Sequence, residues 1–254
     1  MSRGLVFVIV AAIVFVVPLS PASSSPPPRP VPSRLAADGA PSDADVADHA
    51  RRVALLERIE RRYRRYRTVT GRFVQVTHLR DQDRTLVTRG ALKFKRSGRF
   101  RFDVDGGGWV ASDGRTLRAY DPEAKTVYVS RAKGSLYPPV FGFLEGEATL
   151  QKAFSWRLLE TPAPSAEPDT PPAKAPPKAR RRVALVGRPK TPTPMVALLV
   201  LWVEETTGRL RRVMVVDAEG NTNRFSFVAM RAGAKLSDRV FRPRRPRGAR
   251  VVEP

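Results

Sequence analysis

Large apolar residues alternate with charged ones between residues 90 and 104. The apolar members of this pattern are Leu92, Phe94, Phe100, Phe102 and Val104. In a β-strand, successive side chains point to opposite faces, so this alternation predicts a sheet with one apolar face and one charged face. Such a face must be buried, and we expect a helix, another sheet or a ligand to cover it.

Similar segments, separated by turn signals, occur along most of the chain. Glycines at 106–108 and the pair Asp113-Gly114 are typical of turns between antiparallel strands. We predict strands at 69–75, 92–94, 100–104, 109–111, 117–119, 127–129, 183–186, 195–203, 210–216 and 222–228. This regular spacing indicates a meandering sheet or an open barrel.

One long helix is predicted before the first strand, at residues 43–67. Apolar residues recur there every three or four positions, with aspartates at the amino end and arginines at the carboxyl end. The apolar positions are Val46, Ala50, Val53, Leu56, Ile59, Tyr63 and Tyr66. Two further short helices are predicted at 139–146 and 147–154, between the two groups of strands.

The first 22 residues have the composition of a secretory signal peptide. A positive start at Arg3 precedes an apolar run from Leu5 to Val17, and small residues follow Pro18. The run is shorter than the roughly 20 residues needed to span a bilayer, although an uncleaved anchor is the alternative. The chain has no cysteine, so no lipobox cysteine can be acylated. We therefore expect a periplasmic protein.

Two proline-rich segments are predicted to lie outside the folded core. Residues 23–42 form a disordered leader, and residues 161–181 form an inserted loop with strand-like sequence on both sides. The predicted organisation is therefore a signal peptide (1–22), a leader (23–42) and one domain (43–254) that contains the loop.

The chain is strongly basic. It has 46 Lys and Arg against 24 Asp and Glu, a formal charge of +22, and the basic residues cluster at 58–67, 174–182 and 239–250. Such clusters attract phosphate-rich surfaces. An export signal argues against nucleic acid, so we expect transient contact with anionic membranes. Solubility and weak, salt-sensitive adhesion is the simpler interpretation of this charge.

The sequence offers no catalytic or metal-binding constellation. Asp45 and His49 have the four-residue spacing of metal ligands on a helix, but no third ligand is apparent. There is no Gly-x-Ser-x-Gly motif and no cysteine nucleophile. We predict a non-enzymatic protein without a metal or cofactor.

Several motifs together resemble the LolA-type family of outer-membrane lipoprotein carriers. The first is Gly90-x-Leu92-x-Phe94-Lys95-Arg96-x-x-x-Phe100-x-Phe102. The others are Val69-x-Gly71-x-Phe73-x-Gln75, Ser112-Asp113-Gly114-x-Thr116-Leu117-x-x-Tyr120-Asp121-Pro122, Asp217 to Asn221 followed by Phe225-x-Phe227, Phe241-x-Pro243, and Pro246-x-Gly248. Their order and spacing carry the resemblance over about residues 46–252, apart from the proline-rich loop.

The resemblance implies an α+β fold, an unclosed antiparallel half-barrel whose hydrophobic concave face is covered by an N-terminal helix and short lid helices. It implies a monomeric carrier that takes triacylated lipoproteins from an inner-membrane transporter to an outer-membrane acceptor. The implied acyl-chain cavity is lined by Phe73, Leu92, Phe94, Phe100, Phe102, Trp109 and Leu117, and the implied lid residues are Val140, Phe141, Phe143 and Leu144. From composition alone, these residues fit a packed core equally well.

The resemblance also implies a role for Arg96 as a latch that binds backbone carbonyls of the lid helices. Guanidinium has five donors in a planar fork, which suits this role. A solvated arginine at a strand end is the alternative. The sequence departs from the family pattern at Ser97, where a proline is usual, at Lys93, where an aromatic is common, and at Phe102, in a tryptophan-like position.

Three functions are therefore compatible with the sequence. The first is the lipoprotein carrier. The second is a periplasmic binding or sensor protein of the same fold for another lipid or glycolipid. The third, of a different class, is a structural protein that binds polyanions and has no cavity.

Overall fold

The structure is a computed structural model of the chain, and it describes residues 43–132, 150–160 and 181–253. The predicted signal peptide and leader lie outside the described residues. So do the four predicted lid residues and, apart from Arg181, the predicted proline-rich loop.

Helix α1, Asp43–Arg64, confirms the helix predicted at the start of the domain and ends three residues earlier than expected. Its buried side consists of Leu55, Leu56, Ile59 and Tyr63. Val46, which the periodicity placed on this apolar side, is exposed. The part of α1 that packs on the sheet is therefore its second half.

The described residues contain one sheet of twelve strands. These are β1 (Thr68–Leu79), β2 (Arg84–Lys95), β3 (Arg99–Val104), β4 (Trp109–Asp113), β5 (Thr116–Asp121), β6 (Thr126–Arg131), β7 (Phe154–Glu160), β8 (Arg182–Pro189), β9 (Leu198–Glu204), β10 (Arg209–Val216), β11 (Thr222–Ala232) and β12 (Arg250–Val252). Two short 3₁₀ helices, Arg80–Gln82 and Asp238–Phe241, and one short α-helix, α2 (Leu150–Ala153), complete the elements of the described ranges.

The sheet is open. Its order is β12-β6-β5-β4-β3-β2-β1-β11-β10-β9-β8-β7, so β12 and β7 are its two edges. All neighbouring pairs are antiparallel except β12 and β6, which run parallel. This arrangement confirms the predicted unclosed antiparallel sheet with few helices.

Two strands were not predicted. In β7, Phe154 and Trp156 are buried and alternate with exposed residues. This period-two alternation was missed because Phe154 was assigned to the helix predicted at 147–154. Of the predicted helix, the structure describes residues 150–154: Leu150–Ala153 form helix α2, and Phe154 begins β7. Strand β12 has three exposed residues and no alternation, which explains why the sequence did not reveal it.

Two predicted strands begin three or more residues away from their predicted start. Strand β2 begins at Arg84, eight residues before the predicted start, because its first half is largely polar and lacks the alternation of its second half. Strand β9 begins at Leu198 rather than at residue 195. The preceding residues form a turn instead, in which the backbone N–H of Val196 donates to the carbonyl of Thr193.

The predicted Asp113-Gly114 turn joins β4 to β5. Gly114 has a φ of +89°, which favours glycine, and Asp113 accepts hydrogen bonds from the backbone N–H groups of Arg115 and Thr116. Burial alone would raise the pKa of Asp113. The two N–H donors and the Arg118 guanidinium outweigh burial, so the pKa lies below its usual value.

The strands on either side of the predicted proline-rich loop are held together by an ion-pair cluster. Arg181 lies 2.9 Å from the Glu160 carboxylate, and Arg51 of α1 lies 2.6 Å from the same carboxylate. Arg51 also pairs with Glu205 at 2.5 Å. The hydrogen bonds from Arg51 and Arg181 lower the pKa of Glu160. Both ends of the loop are thus fixed to the helix and to each other.

Tyr63 connects helix α1 to strand β10. Its phenol is buried, and its oxygen accepts a hydrogen bond of 3.0 Å from the backbone N–H of Leu210. Burial raises the pKa of Tyr63 to about 12. The hydroxyl therefore stays neutral over the physiological range and satisfies a backbone donor that would otherwise be buried without a partner.

We expect Tyr63→Phe to lower the free energy of unfolding by about 1–3 kcal/mol, since the buried N–H of Leu210 loses its acceptor. Urea denaturation followed by circular dichroism measures this change. Tyr66→Phe is the matched control, because the Tyr66 hydroxyl makes no hydrogen bond with another described residue. Equal losses in the two variants would contradict the assigned role of the Tyr63 hydroxyl.

Candidate functional site

The strands β2 and β3 place their large apolar side chains on one face of the sheet. Leu92 lies opposite Phe102 and Phe94 lies opposite Phe100 in their register. The ring centroids of Phe100 and Phe102 are 5.8 Å apart, and those of Phe73 and Phe102 are 5.3 Å apart, both edge to face. Three neighbouring strands therefore share one aromatic-rich surface.

This surface, called the apolar face below, extends over β1–β5 and β11. It consists of Val69, Phe73, Leu92, Phe94, Phe100, Phe102, Val110, Leu117, Ala119 and Phe225. None of these side chains is more than 6% exposed. The structure thus brings together six of the seven residues predicted to line a cavity, namely Phe73, Leu92, Phe94, Phe100, Phe102 and Leu117.

The seventh predicted lining residue, Trp109, lies on the opposite face of the sheet. In the β3–β4 register Phe102 pairs with Val110, while Trp109 pairs with Asp103. Trp109 packs instead with Ala111, Val127 and Ala249. The prediction that Trp109 belongs to the apolar face is therefore wrong. The glycine-rich turn before β4 leaves the phase of the alternation open, and that phase was predicted one residue out.

The sequence reasoning also missed members of the apolar face. Val110 takes the place predicted for Trp109, and Phe225 enters from β11, which pairs with β1. The alternation of Phe225 and Phe227 was visible in the sequence. The pairing of β11 with β1 was not, because it joins segments about 150 residues apart.

A polar pair lies next to the apolar face on β1 and β11. The Gln75 side-chain amide donates to the Asn223 side-chain oxygen at 2.9 Å, and both residues are buried. Phe73 and Phe225, their neighbours two residues away on the same strands, belong to the apolar face. A hydrogen-bonded amide pair therefore limits the apolar surface along these strands.

The opposite side of β2 and β3 carries ion pairs. Lys93 lies 2.6 Å from Asp103, and Arg101 lies 2.7 Å from the same carboxylate. Lys95 donates to Asp238 of the second 3₁₀ helix at 2.6 Å, and this hydrogen bond lowers the pKa of Asp238. The alternation predicted from the sequence therefore separates apolar from charged side chains as expected.

The segment that contains the predicted lid, residues 133–149, lies outside the described residues, but the structure describes the point where it ends. The backbone N–H of Leu150 donates to the buried Glu60 carboxylate of α1 at 2.8 Å. The carbonyl of Leu150 accepts from the Trp156 indole at 2.9 Å. Helix α1 and strand β7 together fix this end of the segment.

Arg96 lies beside the link between α1 and β1. Its Nε donates to the backbone carbonyl of Tyr66 at 3.2 Å, and its backbone N–H donates to the carbonyl of Arg67. The predicted contact with lid helices falls outside the described residues. Ser97, the next residue, has a φ of +69°. Proline cannot adopt this conformation, so the departure from the family pattern at this position matches the turn.

The described residues contain no group of three or more His, Cys, Asp or Glu arranged to hold a metal ion. In the same part of the chain, no helix has both the length and the apolar character required to cross a membrane.

Comparison with protein families gives a match over part of the chain. Residues 64–163 match the family model described as outer membrane lipoprotein carrier protein LolA. The matched region begins at the end of α1 and includes β1–β7. The resemblance to the LolA family is thus confirmed over residues 64–163.

Several solved structures are similar to this chain. An uncharacterized conserved protein from Thermus thermophilus is 15% identical with a TM-score of 0.48, and the match covers 80% of this chain and 99% of that protein. A LolA superfamily protein from Nitrosomonas europaea is 14% identical with a TM-score of 0.38, covering 74% and 96%. MucB in the Pseudomonas aeruginosa MucA/MucB complex is 18% identical with a TM-score of 0.41, covering 74% and 59%. A comparison with curated proteins found no match.

We expect Arg96→Gln to loosen the link between α1 and β1, because the carbonyl of Tyr66 loses a donor. Hydrogen–deuterium exchange should increase in peptides that cover residues 62–68, while the free energy of unfolding falls by only about 0.5–1.5 kcal/mol. Arg115→Gln, which removes one charge from an exposed turn, is the control. Unchanged exchange at residues 62–68 would show that Arg96 is merely solvated.

Proposed function

We propose that this protein is a periplasmic carrier that binds the acyl chains of lipoproteins on the apolar face and moves them from the inner to the outer membrane. The observation that carries the proposal is the apolar face itself, ten buried apolar side chains on one side of an open sheet. Most of its strands, β1–β5, lie within the region that matches the lipoprotein carrier family.

The physical requirement for such a carrier is a large apolar surface kept away from water. Exposure of an acyl chain costs about 0.8 kcal/mol per methylene group. The apolar face could meet this requirement because five of its members are phenylalanines on adjacent strands, at 73, 94, 100, 102 and 225. The ion pairs on the other side of β2 and β3 keep that side compatible with water.

In this proposal, the segment 133–149 covers the apolar face when no lipid is bound. Val140, Phe141, Phe143 and Leu144 supply the apolar side chains of the cover. Its far end adjoins Leu150, whose backbone N–H donates to the Glu60 carboxylate. Arg96 contributes to the balance between the covered and uncovered states by holding the link that follows α1.

The proposed partners follow from the carrier role. An inner-membrane transporter supplies triacylated lipoproteins, and an outer-membrane acceptor receives them. The signal peptide at residues 1–22 delivers the protein to the periplasm, where it works as a monomer. The basic surface supports brief contact with anionic membranes, which salt should weaken.

A second candidate keeps the apolar face but replaces lipoprotein with another amphiphile. It is favoured by a concave cluster of arginines, at 58, 61, 62 and 65, which lies next to Tyr66. Tyr66 in turn packs against the apolar face. A polyanion-binding structural protein with a packed core is the remaining alternative. It predicts that no acyl compound binds to the apolar face.

We expect Phe102→Ala to weaken the binding of a fluorescent fatty acid by about tenfold, because it removes a central ring from the apolar face. Trp109→Ala is the matched control, since Trp109 is equally buried (7% against 6% exposed) but lies on the opposite face. Both changes create a buried cavity and should cost about 3–5 kcal/mol of stability. Fluorescence titration measures the affinity, and thermal unfolding confirms that both variants fold.

The more conservative pair Phe102→Leu and Trp109→Leu repeats the comparison if an alanine variant fails to fold. Equal affinities across each pair would contradict acyl binding on the apolar face. So would a wild-type protein that binds no fatty acid.

The lipoprotein role has its own test. We expect the purified protein to release triacylated lipoproteins from spheroplasts, and native mass spectrometry should then show a complex of one protein with one lipoprotein. Phe102→Ala should release less, while Trp109→Ala should release as much as the wild type per folded molecule. Fatty-acid binding without lipoprotein release would favour the second candidate.

A further inference from the structure

Four arginines on helix α1 and the link after it line a concavity of about 260 Å³. They are Arg58, Arg61, Arg62 and Arg65, and the remaining lining residues are Tyr66 and Thr207. We call this feature the arginine concavity. No carboxylate lines it among the described residues.

Two of the arginines are held in place by neutral backbone carbonyls. Arg58 donates to the backbone carbonyl of Glu205 at 2.8 Å, and Arg62 donates to the carbonyl of Thr207 at 3.3 Å. The Arg62 guanidinium also lies 5.8 Å from the centre of the Tyr66 ring. A neutral carbonyl orients a guanidinium but does not neutralise it, so both positive charges remain available to a ligand.

The other two arginines are exposed and have no strong ion pair with a described residue. Arg61 lies 3.5 Å from Glu57, a solvent-exposed pair on one helix that contributes little. Arg65 has no ion pair with any described residue. The concavity therefore combines two oriented guanidinium groups with two that can close on a ligand.

A phosphate group is the ligand that this chemistry fits best. Guanidinium presents parallel N–H donors whose spacing matches two phosphate oxygens, and such charge-assisted pairs are the strong ones. A phosphate monoester has two negative charges near neutral pH and can engage several guanidinium groups together. A carboxylate has fewer oxygens and one charge, so it would leave most of the donors unused.

Tyr66 links the arginine concavity to the apolar face. It lines the concavity, and it also packs against the apolar face and against the core beneath α1. Arg96 binds its carbonyl. A ligand with an acyl chain on the apolar face and a phosphate group in the concavity would therefore lie next to Tyr66.

We propose that the protein binds a phosphorylated amphiphile, with its phosphate in the arginine concavity and its acyl chain on the apolar face. This inference rests on the proposed function, because it assumes that the apolar face accepts acyl chains. It goes further by naming the headgroup chemistry.

The test compares two ligands that share one acyl chain, oleoyl lysophosphatidate and monooleoylglycerol, by titration calorimetry below their critical micelle concentrations. We expect the phosphorylated ligand to bind at least about tenfold more tightly, as a charge-assisted contact implies. Arg61→Gln together with Arg65→Gln should abolish most of this difference. The affinity for monooleoylglycerol should not change.

The matched control is Arg245→Gln together with Arg247→Gln, which removes the same charge from an exposed part of the C-terminal segment. This pair should keep the preference for the phosphorylated ligand. Equal loss in both double variants would show that only net charge matters and would overturn the inference. Glycerol phosphate that binds as tightly as lysophosphatidate would also overturn it, since the acyl chain would then contribute nothing.

The outcomes separate the two proposals. If neither amphiphile binds, the proposed function fails and this inference fails with it. If both amphiphiles bind with equal affinity, the proposed function stands and only the phosphate site is overturned.

Discussion

The antiparallel pairing of β2 with β3 is the constraint on which the rest of the structure depends. It places Leu92 opposite Phe102 and Phe94 opposite Phe100. The large side chains of the two strands therefore lie on the same face of the sheet. The same register puts Lys93 and Arg101 on the other surface, within reach of Asp103. Gly90 protects this register, because a Cβ there would lie 2.0 Å from the carbonyl oxygen of Asp103.

Helix α1 joins the different parts of the molecule. Its inner side contributes Ile59 and Tyr63 to the core, and the Tyr63 hydroxyl satisfies a backbone donor of β10. Its Glu60 holds the end of the segment that precedes α2. Its outer side presents Arg58 and Arg61 to the arginine concavity. One helix therefore packs the sheet, fixes the end of the proposed cover and supplies a charged site beside it.

The period-two alternation in the sequence was enough to predict most strands and six of the residues on the apolar face. It failed at Trp109, because the three glycines before β4 have no side chains from which the phase of the alternation could be read. It also could not predict that Phe225 belongs to the apolar face, because its position depends on pairing between strands that are distant in the sequence. The basic cluster at 58–67 was visible as composition. Its concave shape was not, since Thr207 arrives from a turn that no local pattern connects with the helix.

The ion-pair cluster of Arg51, Glu160 and Arg181 fixes the positions at which the chain leaves β7 and enters β8. Glu160 and Arg181 are 2.9 Å apart. The pairing of β7 with β8 therefore does not depend on the length of the chain that joins these two residues. Loop-closure entropy grows slowly, by about 0.6 kcal/mol for each doubling of loop length. Residues 161–180 are therefore a position where evolution, or an experimenter, can lengthen, shorten or replace the chain without disturbing the pairing that builds the apolar face.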